Sequence, residues 1–224
     1  STVFGRDVRV QRHFDKARII ACFDADPFQE DADSAQMIQG WSKSRSPDGA
    51  WMNRLYCVES RVSLTGSNAD HRLPTRSSDI LATLADLEIL ITAAGAKPVK
   101  RPSEDAPKRD QVLAALADDL VRHRGSSILM AGAHQSADVH TAIHRLNQRL
   151  DNFGSTLSLL PVESHESVQV TTLVESVQSG QVTTLVLLDC NPVYGSEHSG
   201  AFRKTLQMIP MAIHLGTHRN ETAR

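Results

Sequence analysis

The sequence is poor in the residues that announce specialised chemistry. Only three of its 224 residues are cysteine: Cys22, Cys57 and Cys190, far apart and with no C-x-x-C. That excludes an iron–sulfur cluster or a Cys-rich zinc site built from this chain alone. An odd, scattered set of thiols also gives no disulfide framework. Neither charge is in excess: 24 Lys and Arg stand against 26 Asp and Glu, a formal balance of −2. A dedicated nucleic-acid or membrane-surface binder would carry a basic surplus. No apolar run approaches the roughly 20 residues that span a bilayer. The G-x-S-x-G elbow, the G-x-x-x-x-G-K-[ST] phosphate loop and the G-x-G-x-x-G fingerprint are all missing. The first residues, Ser1 to Gly5, have neither the basic nor the apolar region of a signal peptide.

What remains is the pattern of a globular α/β chain. Short apolar runs at Ala17 to Phe23, Leu55 to Val58, Ser127 to Ala131, Val182 to Leu188 and Met211 to Leu215 read as buried strands, with a weaker one at Thr156 to Leu160. Between them lie helical patterns at Ala32 to Gly40, Ser77 or Ser78 to Ala94, Pro107 to Arg124, Ser136 to Gly154 and Gly200 to Gln207. Gly95 suits a helix stop and Ser136 a helix cap. One hexapeptide, Q-V-T-T-L-V, occurs twice, at 169–174 and 181–186. The flanks of the first copy favour a helix and those of the second a strand. The alternation predicts two small three-layer (αβα) Rossmann-like lobes with mainly parallel sheets. The proline-rich segment Lys97 to Lys108 predicts the boundary, giving lobes 1–100 and 101–224.

In such sheets ligands bind outside the carboxyl ends of the strands. The exit loops are therefore the candidate sites: Asp24-Ala25-Asp26-Pro27, Glu59-Ser60, Gly132-Ala133-His134-Gln135, Asp189-Cys190-Asn191-Pro192 and Gly216-Thr217-His218. The first and second loops should line one edge, and Gly132 to His134, Asn191-Pro192 and Glu221-Thr222 the edge of the second lobe. His140 and His144 share a helix face, but no H-E-x-x-H or nearby carboxylate completes a metal set, so they read as a surface pair. His71 reads as a packed loop residue, and the adjacent Asp118 and Asp119 as a solvated helix pair. No nucleophile–base pair can be argued, and no catalytic residue is assigned.

Read in order, the loops resemble the molybdopterin oxidoreductase family. The resemblance rests on A-R-I-I-A-C-F-D-A-D-P-F (17–28), L-Y-C-V-E-S-R-V-S-L-T-G-S-N-A-D-H-R-L-P-T-R-S-S-D-I (55–80), I-L-M-A-G-A-H-Q (128–135), H-R-L-N-Q-R-L-D-N-F-G (144–154), L-V-L-L-D-C-N-P-V-Y (185–194) and H-L-G-T-H-R-N-E-T-A-R (214–224). M-N-R-L-Y-C-V-E-S and L-T-G-S-N-A-D-H-R-L-P are most similar to its molybdenum-free branch. That branch is the iron–sulfur large subunit of alternative complex III, a bacterial membrane-bound quinol:electron-acceptor oxidoreductase. The resemblance implies cofactor-edge positions at Asp24, Asp26, Glu59, Thr65, Asp70, Gly132, His134, Asn191, Pro192, Glu221 and Thr222. It also implies an excised central portion of a longer polypeptide and a periplasmic placement at the inner membrane. The partners would be other domains of that polypeptide and subunits of the complex, with no nucleic acid and no direct membrane insertion. Iron–sulfur clusters would sit in a separate domain. Two carboxylates, Asp24 and Asp26, replace the family's glycine and neutral amide. Like-charge repulsion should weaken an anionic pterin dinucleotide there. The expectation is a cofactor-free scaffold. Its alternatives are a fragment that binds molybdopterin guanine dinucleotide and a soluble α/β domain for a small ligand.

Overall fold

The computed structural model describes residues 5, 8–95, 97–100, 102–162 and 170–224. Arg101, in the proline-rich segment, and Gln169, which opens the first hexapeptide, lie outside the described residues. The chain divides into two compact units, Ser1–Glu163 and Ser164–Arg224. The fold is α/β with parallel sheets, as the alternation predicts.

In the first unit the elements run β1 (Val8–Arg12), β2 (Ile19–Phe23), α1 (Ser34–Lys43), β3 (Arg54–Glu59), α2 (Leu64–Ser67), β4 (His71–Pro74), α3 (Ile80–Ala94), α4 (Lys108–Arg122), β5 (Ser127–Ala131), α5 (Ala137–Arg149) and β6 (Leu157–Pro161). Four strands form one parallel sheet in the order β4-β3-β2-β5, and β1 pairs antiparallel with β6. Side chains of β2 alternate between two cores. Ile19, Ala21 and Phe23 join the interior made by α3, α4 and α5. Ile20 and Cys22 face the interior that holds Met37 of α1 and Leu157 of β6. The sheet is thus covered on both faces, which is why its strands read as unbroken apolar runs.

The proline-rich segment is not the boundary. It joins α3 to α4, which pack against each other, and β5 beyond it pairs with β2 in parallel register, Ile19 opposite Ser127 and Phe23 opposite Ala131. Proline marks where one helix stops and another can start, inside a unit as well as between units. The division falls after β6 instead.

The second unit contains α6 (Val170–Gln178), β7 (Thr184–Leu188), α7 (Pro192–Gly195), α8 (Ser199–Leu206) and β8 (Met211–Leu215). β7 and β8 pair in parallel, Val186 opposite Ile213 and Leu188 opposite Leu215. The two hexapeptide copies part as their flanks predict: Val170 to Val174 is helical, whereas Thr184 to Val186 begins β7.

Candidate functional site

Sheet order places the first site. β2 is central. The chain steps from it to β3 and β4 on one side, then returns through α3 and α4 to β5 on the other. The carboxyl ends of β2 and β5 therefore flank the point where the winding reverses, the usual crevice of an open α/β sheet. A cavity of about 280 Å³ lies there, lined by Ala25, Asp26, Pro27, Glu30 and Asp31 from one loop and by Met130 to His134 from the other.

Asp24 adjoins this crevice through His134. It is the first residue past β2, has φ 49°, and its N–H donates to Val58 O at 2.7 Å. Its Oδ2 accepts from His134 Nε2 at 2.9 Å, from Gln135 Nε2 at 2.8 Å and from Ser77 Oγ. Burial works to raise this carboxyl. The bonds from Ser77, His134 and Gln135 outweigh burial and hold it below the usual carboxylate range. Gly132 is fixed by close approach. Its N–H donates to Phe23 O at 3.1 Å, and a Cβ there would overlap the Asp24 carbonyl.

Asp26 and Glu59 are turned inward. Asp26 Oδ1 accepts from Thr65 N at 3.0 Å and Thr65 Oγ1 at 2.6 Å, and Oδ2 accepts from Leu64 N at 3.2 Å. Thr65 Oγ1 in turn accepts from Phe28 N at 3.1 Å. Glu59, only 2% exposed, accepts from Ser63 N and Oγ and from Arg72 Nε at 2.7 Å. A Cβ on Gly66 would overlap the Glu59 carboxylate. These carboxylates therefore pin loops together and spend their lone pairs inside the protein.

Asp70 is not at this edge. It takes Arg45 on both oxygens, at 2.9 and 2.6 Å, and also accepts from Leu55 N, near the amino end of β3. Burial would raise Asp70, but Arg45 and the Leu55 N–H together lower it. His71 opens β4 and stacks on Tyr56, ring centroids 4.7 Å apart. Asp118 and Asp119 are buried, not solvated. Asp118 accepts from Val99 N and pairs with Arg122; Asp119 holds Tyr56 Oη at 2.6 Å and Arg54. Helix α4 turns this pair toward the sheet, a direction that two adjacent aspartates do not reveal in sequence.

Gly132 and His134 belong with Asp24, not with Asn191, because β5 sits in the first unit's sheet. Asn191, Glu221 and Thr222 do converge, beyond β7 and β8. Asn191 Nδ2 donates to Glu221 Oε2 at 2.7 Å, Thr222 Oγ1 donates to Asn191 Oδ1 at 2.7 Å, and Val193 N donates to Thr222 Oγ1 at 3.1 Å. Pro192 starts α7. The Asn191 bond is the main reason that the exposed Glu221 carboxyl lies below its ordinary range. A cavity of about 440 Å³ adjoins this cluster, lined by Val193, Arg203, Leu206, Gln207, Glu221, Thr222 and Arg224.

The two edges repeat one motif that a hexapeptide search passes over. Asp24-Ala25-Asp26-Pro27 and Asp189-Cys190-Asn191-Pro192 both follow a parallel strand. Asp189 has φ 44° and its N–H donates to Leu215 O at 2.7 Å, as Asp24 does to Val58. The signal available in sequence is D-x-[DN]-P together with a threonine beyond the next strand.

Two guanidinium groups near the first crevice are engaged. Arg12 reaches Asp31 at 3.4 Å and Arg61 reaches Glu30 at 2.9 Å. That edge is poorly suited to an anionic dinucleotide: it presents carboxylates, and two of its nearby cations already have partners, although Arg76, beside Ser77, is exposed. Among the described residues no group of three or more His, Cys, Asp or Glu side chains could hold a metal ion. Cys22 and Cys57 lie side by side in register on β2 and β3, both buried, and Cys190 is exposed. Contact with Cys57, then burial, raises the Cys22 thiol well above its ordinary value. A cavity of about 750 Å³ lies in the first unit between α3, α4 and Pro102-Ser103, away from the Asp24 edge. Its charged lining is partly spent in the Arg109–Asp86 pair at 2.6 Å. Among the described residues no helix is long and apolar enough to cross a membrane.

No protein-family model matches the chain, and no curated protein matches it.

Proposed function

We propose that the chain is a cofactor-free Rossmann-like scaffold of the molybdopterin-oxidoreductase type. In this reading it belongs to the large subunit of a membrane-associated respiratory quinol:acceptor oxidoreductase, on the periplasmic side of the inner membrane. One observation carries the reading. At the first unit's sheet edge the carboxylates Asp24, Asp26 and Glu59 accept hydrogen bonds from the protein's own loops. A site built for a pterin dinucleotide would instead turn neutral donors and free cations outward. The colinear order of the loop motifs is what supports the family.

The test is thermal unfolding of the chain with molybdopterin guanine dinucleotide, and with guanosine diphosphate as a simpler anionic probe. No shift is expected from either. A ligand at 100-fold its dissociation constant would add about 2.7 kcal/mol, a rise of several degrees. Such a rise, lost in Asn191→Ala, would overturn the scaffold reading in favour of a pterin-binding fragment. The crevice beside His134 favours a second reading, a site for a small uncharged or cationic molecule. It predicts saturable binding that His134→Ala abolishes.

A further inference from the structure

We propose that the chain self-associates as a two-fold dimer through the bare face of its β7–β8 sheet. The inference is independent of the scaffold reading and starts from strand alternation. Thr184, Val186 and Leu188 of β7 share one face with Met211, Ile213 and Leu215 of β8, because the register pairs them directly. Five of these six are large and apolar, and all are exposed: Val186 52%, Leu188 65%, Met211 55%, Ile213 48% and Leu215 67%. The opposite face is the more covered one, although its Ala212 is exposed. Leu187 there is 7% exposed, and the buried faces of α6 and α8 supply Val174, Val177 and Phe202 to the interior. Helices α6 and α8 touch each other.

Parallel sheets are stable with both faces covered, and the first unit obeys that rule. The second unit breaks it. Its five aliphatic side chains form a continuous patch on the order of 500 Å², the size that marks an interaction surface on a soluble protein. The patch has no charged side chain within it, so two copies can meet on it without burying a charge. An isologous pair would bury about 1,000 Å² in total, at the threshold of a specific interface and in the range of a weak, concentration-dependent dimer. Two such sheets stack about 10 Å apart with their side chains interleaved.

The experiment is sedimentation velocity of the whole chain over a hundredfold concentration range, with the wild type, Leu188→Glu and Ile213→Lys. Both positions are exposed, so far-ultraviolet circular dichroism should show each variant folded. The expected result is a wild-type dimer and variants whose dissociation constants rise at least a hundredfold. A second pair, Val186→Thr and Leu215→Thr, removes apolar surface without adding charge and should weaken the dimer about tenfold. A wild-type chain that stays monomeric throughout would overturn the proposal. So would a dimer that survives all four substitutions, which would show that another surface mediates it.

Discussion

Asp26 and Asn191 occupy matching places in the two units and close the same circuit with opposite distributions of charge. In each, a threonine hydroxyl donates to the side-chain oxygen and accepts from the backbone N–H just past the proline: Thr65 with Phe28, Thr222 with Val193. The remaining contact differs. Asp26 puts the carboxylate on the strand-exit loop and takes the neutral Leu64 N–H. Asn191 puts a neutral amide there and donates to the carboxylate of Glu221, the residue before its threonine. Each circuit holds one negative charge, on opposite sides of the contact. Burial separates them further: Thr65 is fully buried, whereas Thr222 is partly exposed. The backbone geometry is common to both, and the surroundings decide how much each circuit stabilises.

The strongest way to sharpen this contrast is to remove the hydroxyls. Thr65→Ala leaves the buried Asp26 carboxylate short of a donor and the Phe28 N–H without its acceptor. It should cost the first unit about 3 kcal/mol. Thr222→Ala, where water can replace the lost bonds, should cost the second unit about 1 kcal/mol or less. Hydrogen exchange read separately in the two units checks both values, and equal costs would break the comparison.

Acid should distinguish the units next. Burial, with help from His140, lowers the His144 imidazole of α5 to about 4. The folded state keeps it neutral while the unfolded chain protonates near 6.5. Its contribution is therefore complete above pH 6.5 and is lost as pH falls toward 4. After allowance for partial exposure the loss is about 2 kcal/mol at most. The depressed carboxyls of Asp24 and Asp70 extend the loss below their unfolded values near 4. Denaturant titrations between pH 7 and 4 should show this slope for the first unit and lose most of it in His144→Gln.

The smallest effect comes from exchanging the charge pattern. Asn191→Asp sets a second carboxylate where Asn191 now donates to Glu221 at 2.7 Å. It should destabilise the second unit slightly at pH 7, and the cost should vanish below pH 4. A variant as stable as wild type at pH 7 would show that the cluster does not hold its loops together.

Much of the architecture was legible because its strands are apolar and its stops are explicit. Ser127–Ala131 and Met211–Leu215 are strands at the bounds their sequences suggest, and Ser136 caps α5 by accepting from Val139 N. Gly95 ends α3 with φ 58°. The elements that escaped notice lack such marks. Val8–Arg12 finds its partner, Leu157–Pro161, far along the chain, a pairing that local pattern does not encode. His71–Pro74 is four residues long and carries a histidine, an arginine and a proline. The convergence of Asn191, Glu221 and Thr222 was legible from strand exits. The grouping of Gly132 and His134 with them was not, because the sheet that a strand joins depends on long-range register. That carboxylates such as Asp26 and Glu59 face inward was also hidden, since exit loops look polar whether they serve a ligand or one another.

The distribution of the thiols makes the protein its own reporter. Cys190 is exposed in the second unit, while Cys22 and Cys57 are sealed in the first unit's sheet. A thiol-reactive dye added to the folded chain would mark the second unit alone, at one place and without mutagenesis. The other two sulfurs would become reactive only when the first sheet opens. The rate at which they are consumed would time that opening, giving the first unit a clock of its own within one unmodified polypeptide.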